Sequence, residues 1–195
     1  MAKDEPDLAV LRGREILVGV TGGIAAYKTA MLVSRLVQAG AGTSVIMTGH
    51  ATRFVGPLTF QTLTGRPVYT DLFESPEVYH AEHIALAERA DLVVVAPATA
   101  NALAKLAHGI ADDLLSTVLL AIQAPLLLAP AMNARMWAHP AVQANVALLR
   151  SRGVRFVGPE EGYLACGTVG PGRMAEPPEI LRQMVDILSS RAKTS

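Results

Sequence analysis

The chain has 195 residues, of which 51% are hydrophobic and 17% charged, enough for one ordinary core carrying at most a modest flap. Lys and Arg total 17, as do Asp and Glu, so the formal net charge is zero. With no basic run and no aromatic-basic patch, that balance argues against broad attraction to nucleic acid or to an anionic membrane. Cys166 is the one cysteine, which excludes an intrachain disulfide and fits a reducing compartment.

Residues 1–13 open with the charged run Met1 to Asp7, and too short an apolar stretch follows for a signal peptide. They are expected to be a flexible N-terminus, with a domain over 14–188 and a flexible tail over 189–195. Glu15 to Thr21 is a short β-branched strand that ends at Gly22-Gly23. Ala26, Ala30, Val33 and Val37 then recur at helical spacing, and Gly40 supplies the stop. Val45-Ile46-Met47 is a second strand, closed by Thr48. Leu92 to Ala96 is a continuous apolar strand of the kind buried on both faces of a parallel sheet. Leu114, Leu115, Val118, Leu119 and Ile122 form the next helical stripe, before strands at Pro125 to Ala129 and Val154 to Val157. A final helix is expected over Pro178 to Leu188.

The uncharged stretch from Leu114 to Ala134 is long enough to suggest a membrane span. Pro125 and Pro130 divide it, and Ser116, Thr117, Gln123 and Asn133 are polar, so a buried helix followed by a buried strand is the better reading. A soluble cytoplasmic protein is therefore expected. Strands alternating with helices predict a doubly wound parallel α/β sheet, a flavodoxin-like or Rossmann-like three-layer sandwich. Such sheets take ligands at the carboxyl ends of their strands.

Gly22-Gly23-Ile24-Ala25 lies where the first strand gives way to the first helix, placing free amides and a partial positive charge where an anion would bind. The Gly-Lys followed by Ser or Thr of a Walker loop is absent, and the second strand closes on a hydroxyl, Thr48, where a dinucleotide site has an acid. The pattern favours a monophosphate such as FMN over NAD. His80 and His83 flank Glu82, but no further ligand set accompanies them, so no metal site is expected.

Five motifs follow in order: Gly22-Gly23-Ile24-Ala25-Ala26, His83-Ile84-Ala85-Leu86-Ala87, Ala96-Pro97-Ala98-Thr99-Ala100-Asn101, Pro130 to Trp137, and Ala165-Cys166-Gly167 with Gly170-Pro171-Gly172-Arg173-Met174. Together, from about Glu15 to Glu179, they resemble the homo-oligomeric flavin-containing cysteine decarboxylases. The resemblance implies FMN as cofactor, held by Gly22, Gly23, Ile24, Ala25, Thr48, Phe54, Thr99, Asn101 and Asp112. It implies His83 as catalytic base or substrate-positioning group, Asn133 on the substrate carboxylate, and Cys166 as the acid that protonates an enethiol intermediate. Met132, Met136, Ala165 and Arg173 would complete the substrate site, on a flap over about residues 160–176.

An asparagine suits that carboxylate, because Lys or Arg would stabilise the charged ground state and oppose loss of CO₂. The substrate so implied is 4′-phosphopantothenoylcysteine and the product 4′-phosphopantetheine, in coenzyme A biosynthesis. The resemblance also implies a homotrimer or trimer-based dodecamer, and a phosphopantothenate-cysteine ligase either fused to the chain or separate. Thr168 departs from the family, which usually has an acid after Ala-Cys-Gly. Three alternatives remain: a lantibiotic-type peptidyl-cysteine decarboxylase, a flavin prenyltransferase and a non-catalytic flavin-binding regulatory subunit. Cys166 speaks against the first and the Pro130 to Trp137 segment against the second.

Overall fold

The computed structural model describes residues 7–71, 82–163, 167 and 169–192. Six parallel strands form the central sheet: β1 (Glu15–Val20), β2 (Gly42–Met47), β3 (Val68–Tyr69), β4 (Leu92–Ala98), β5 (Leu126–Pro130) and β6 (Arg155–Phe156). Their order is β3-β2-β1-β4-β5-β6, the doubly wound Rossmann arrangement. Successive side chains of a strand face opposite ways, so β1 sends Ile16, Val18 and Val20 to one face and Leu17 to the other. β4 divides likewise, with Leu92, Val94 and Ala96 opposite Val93, Val95 and Ala98.

Helices cover both faces. On the first lie α1 (Ala26–Gln38), α2 (Pro57–Thr64) and α8 (Pro177–Ala192), contributing Leu32, Leu36, Phe60, Ile180 and Met184. On the second lie α3 (Glu82–Arg89), α4 (Ala100–His108), α5 (Leu114–Ala121) and α7 (Pro140–Ser151), contributing Leu86, Leu103, Val118 and Val146. A short helix α6 (Ala134–Trp137) leaves β5, and an antiparallel hairpin of β7 (Glu160–Tyr163) and β8 (Val169–Arg173) forms a second sheet. No helix of the described residues is long and apolar enough to cross a membrane.

Both ends of the chain are more ordered than the sequence predicts. Leu8–Leu11 forms a 3₁₀ turn capped by Asp7, with Leu11 fully buried and Leu8 and Val10 packed on the core. Burying one leucine contributes about 1.5–3 kcal/mol. That offsets fixing one or two backbone residues at about 1–2 kcal/mol each, so the segment docks. At the other end α8 runs to Ala192, past residue 188.

An ion-pair network closes the amino edge of the sheet. Glu15 receives Arg66 in two-pronged fashion at 2.6 and 3.0 Å, with Arg89 3.6 Å away. The Arg66 hydrogen bonds hold the Glu15 carboxyl below its ordinary value against the opposing effect of burial, with the charges of Arg66 and Arg89 adding to the lowering. Asp91 fastens β1 to β4 by accepting the Glu15 backbone N–H at 2.8 Å.

Candidate functional site at the strand-order switch

Strand order reverses between β1 and β4, and there the segments leaving their carboxyl ends diverge to opposite faces of the sheet. Thr21 bridges them. Its buried hydroxyl donates to the Pro97 carbonyl at 2.7 Å and accepts the Thr99 N–H at 3.2 Å. Thr99 in turn caps α4, accepting the Ala102 N–H at 3.3 Å. Above this bridge opens a cavity of about 1350 Å³. An ordinary small-molecule site occupies about 300–1,000 Å³, so this one has room for two ligands side by side.

One wall is the turn from β1 into α1. Gly22, Gly23, Ile24 and Ala25 all line the cavity, and among the described residues their backbone N–H groups have no hydrogen-bond partner. The N-cap of α1, Ala25, has no side chain able to cap it. These orphan donors and the helix dipole make an anion site. A Cβ on Gly22 would lie 2.4 Å from the Cβ of His50, so only glycine lets the turn after β2 approach so closely. That second turn brings Thr48, His50 and Arg53 to the cavity.

Phe54 is a correction: it is half exposed and absent from this wall. It follows the 3₁₀ turn Ala51–Arg53, in which neighbours point about 120° apart, so with Arg53 turned inward Phe54 faces away.

The opposite wall comes from α4 and α5. Asn101 and Lys105 line it beside Asp113 and Ser116. The sequence reading places Asp112 here and lets it cap α5; the structure corrects both expectations. Asp113 is the cap, accepting the Ser116 N–H at 2.8 Å in a reciprocal capping box. Asp112 is the more exposed of the two and lies off the wall, reaching Lys105 Nζ at 2.5 Å from outside. Lys105 Nζ also meets Asp113 Oδ2 at 2.8 Å. Burial alone would raise the Asp113 carboxyl, but hydrogen bonds from Lys105 and Ser116 outweigh it and hold the group below its ordinary value. Lys105 is raised for the same reason: burial opposes its charge, and the two aspartates more than offset that.

The remaining wall follows β5 and the hairpin. Met132, Asn133 and Met136 line it, with Arg173 across from them. Asn133 caps α6, its Oδ1 accepting the Arg135 N–H at 2.8 Å, which orients the amide. Gly172 donates its carbonyl to the Met132 N–H at 3.0 Å. Its φ of +146°, with a virtual Cβ 2.2 Å from the Met132 oxygen, makes it a glycine position twice over.

His83 stands in the first turn of α3, but its side chain lies outside the described residues, as do Ala165, Cys166 and Thr168. Among the described residues no group of three His, Cys, Asp or Glu could hold a metal ion.

Sequence reasoning missed Thr21, Lys28, Lys105 and Glu176. Lys28 was findable, since it lies four residues from buried Leu32 and so on the inward face of α1. Glu176 gives no local sign, because only the fold brings it to Lys28.

Comparison with known proteins agrees with this geometry. The flavoprotein family model matches residues 6–189. The coenzyme A biosynthesis bifunctional protein CoaBC of Bacillus subtilis (strain 168) is 54% identical over 173 residues, 89% of this chain and 43% of that protein. The chain thus spans less than half the length of that relative. The solved structure of the FMN-dependent cysteine decarboxylase SpaF matches with a TM-score of 0.79 at 36% identity, covering 94% of this chain and 99% of that one. A PPC decarboxylase mutant complexed with pantothenoylaminoethenethiol matches with a TM-score of 0.79 at 29% identity, covering 89% and 97%. With the family model spanning nearly all of a chain that folds as a doubly wound sheet around a phosphate-ready turn, the protein belongs to the flavoprotein family.

Proposed function

We propose that this chain is an FMN-dependent decarboxylase of 4′-phosphopantothenoylcysteine, working in the cytoplasm on the route to coenzyme A. The observation that carries the reading is the cavity itself: a row of unpartnered amides at Gly22 to Ala25 facing an Asn133 amide across space for two ligands. Resemblance to CoaBC, SpaF and the PPC decarboxylase supplies the chemistry.

The residues fit FMN. The Gly22–Ala25 amides and the dipole of α1 match a monophosphate, Thr48 is neutral where a dinucleotide site would have an acid, and Thr99 and Asn101 offer polar contacts. Bound FMN would supply a reversible two-electron sink, which decarboxylation beside an amide carbon otherwise lacks. The protein's own part is placement and proton control. Asn133 donates to the substrate carboxylate without the full charge that would hold it back. Met132 and Met136 exclude water at the reacting carbon, and Arg173 flanks the substrate. His83 accepts a proton near neutral pH, as an imidazole is suited to do. Cys166, through the Ala165-Cys166 segment, returns a proton to the enethiol.

Exposed Ile24, Tyr27, Met31, Phe54 and Leu58 support a homo-oligomer, as a trimer or trimer-based dodecamer, with apolar surface of α1 and its neighbours covered by a second copy. A ligase domain, fused or separate, would make the substrate, in keeping with the bifunctional relatives.

The test is to purify the protein, record its flavin spectrum, and incubate it with phosphopantothenoylcysteine while following CO₂ and product mass. Yellow protein yielding 4′-phosphopantetheine is the expected result; protein that binds no FMN overturns the reading. Cys166→Ser should keep releasing CO₂ while its product becomes the enethiol, 2 mass units lighter, because only the final protonation and reduction fail.

A further inference from the structure

The β7–β8 hairpin forms no hydrogen-bonded ladder with the central sheet, so its placement over the cavity depends on ties at its base. One tie is the Gly172 carbonyl on Met132. The other is a chain of charges that starts in α1. Lys28, with its side chain only 9% exposed, places Nζ 2.7 Å from Glu176 Oε1 and donates to the Met174 carbonyl at 3.3 Å. Glu176 Oε1 lies 3.2 Å from Arg173 Nη2 on β8, which is also 3.3 Å from Glu160 Oε2 on β7. Gly162 makes this possible, because a Cβ there would stand 3.2 Å from Arg173 Nε. That Nε is the single buried side-chain polar atom without a hydrogen-bond partner among the described residues, so the guanidinium is held by its outer nitrogen alone.

A buried ammonium is costly unless paired, and Lys28 reaches partners 146 and 148 residues away. Glu176 immediately precedes α8, whose Ile180, Leu181 and Met184 are buried, so this partner is rigid. With the Lys28 charge removed, the Glu176 carboxylate is left to Arg173 and the hairpin base keeps only its Gly172 tie.

We propose that Lys28 is a positioning residue: by clamping Glu176 and the Met174 carbonyl it anchors the hairpin base to the first turn of α1, and so sets how often the decarboxylated enethiol is reduced before it leaves. The inference rests on the decarboxylase reading and adds to it a determinant of product outcome. Each enethiol released leaves two electrons with the cofactor, and dissolved oxygen takes them up as hydrogen peroxide. Peroxide therefore rises in step with enethiol.

The experiment compares Lys28→Met, Glu176→Gln, their double variant and Lys28→Arg with the wild-type holoenzyme. Enethiol, reduced thiol and peroxide are measured per CO₂, and amide hydrogen exchange is followed in the hairpin strands. Either single variant should raise the enethiol-to-thiol ratio roughly tenfold, the factor carried by about one charge-assisted hydrogen bond. The double variant should go no further, and Lys28→Arg should restore part of the ratio. Hairpin exchange should quicken while exchange in β1 and β4 stays as in the wild type.

A ratio within about twofold of wild type in both single variants overturns the proposal, being less than one hydrogen bond would carry. So does equal loss of both products with unchanged hairpin exchange, which is plain destabilisation. If Lys28→Met fails to fold, Glu176→Gln tests the same pair from its more exposed side. A wild-type protein without flavin or CO₂ release sinks the decarboxylase reading, while hairpin exchange still decides the anchoring.

Discussion

Replacing Gly22 by alanine tests whether the β1–α1 turn is a built anion site. The new Cβ would fall 2.4 Å from the His50 Cβ and 3.1 Å from its carbonyl carbon. Backbone lies behind that contact, so no side-chain rotation relieves it, and either the His50 turn or the Gly22 turn must move. Overpacking of this kind costs about 1–3 kcal/mol. If the Gly22 turn moves, at least one amide leaves the phosphate, and a hydrogen bond to a charged group contributes about 1.5–3 kcal/mol. The expected loss in FMN affinity is thus about 10- to 150-fold. Gly23→Ala is the comparator, since its Cβ would meet only Thr99 and Pro97 side-chain carbons at 3.7 and 3.8 Å. Titration of apoprotein with FMN, followed by quenching of flavin fluorescence, measures both variants. The reasoning is refuted if Gly22→Ala binds FMN as tightly as wild type, or if Gly23→Ala loses as much.

Two further predictions concern stability. The Glu15 carboxyl is depressed in the folded state by Arg66, so the stability it contributes is present above its ordinary value of 4.5 and lost as pH falls through the lower folded value. Melting temperature against pH should therefore drop more steeply below about pH 4.5 in wild type than in Glu15→Gln, which lacks about 1 kcal/mol at neutral pH; parallel curves would refute the assignment. Asp113→Ala, which removes the α5 cap and a Lys105 partner, should cost about 0.5–2 kcal/mol in urea unfolding. Asp112→Ala should cost clearly less, and equal losses would show that the capping box does not set the difference.

The strands and the glycine turn were legible because their residues obey simple periods. β1, β4 and β5 are continuous apolar runs, and Gly40, at φ +81°, ends α1 where the pattern breaks. β3 has two residues and no pattern to find, and α2 buries Phe60 alone, so neither carries a stripe. α7 was readable in principle: Val142, Val146 and Leu149 recur at helical spacing behind Pro140, though the sequence reading leaves them unassigned. In the site, residues within contiguous motifs came through, since Gly22 to Ala25 and Met132 to Met136 reach the cavity as neighbours. Asp112 and Asp113 show the limit of that logic. Two identical letters differ by one step of a helix cap, and only backbone geometry decides which faces inward. The pairing of Lys28 with Glu176 lay further from reach, because it depends on α1 and the start of α8 meeting across the whole length of the chain.

The two-residue strands at the sheet's margins bear on how this protein behaves at high concentration. A sheet whose middle strands are almost wholly aliphatic would recruit other chains if its outermost members were long and flat. β3 and β6 each expose only a couple of unpaired peptide groups, too few to template an incoming strand. Beside β6, the Arg150 guanidinium lies 5.2 Å from the centre of the Phe156 ring and sets a cation over the apolar face of that margin. Self-association is thereby steered away from edge-to-edge growth and toward helical surfaces, where it can close into a finite particle.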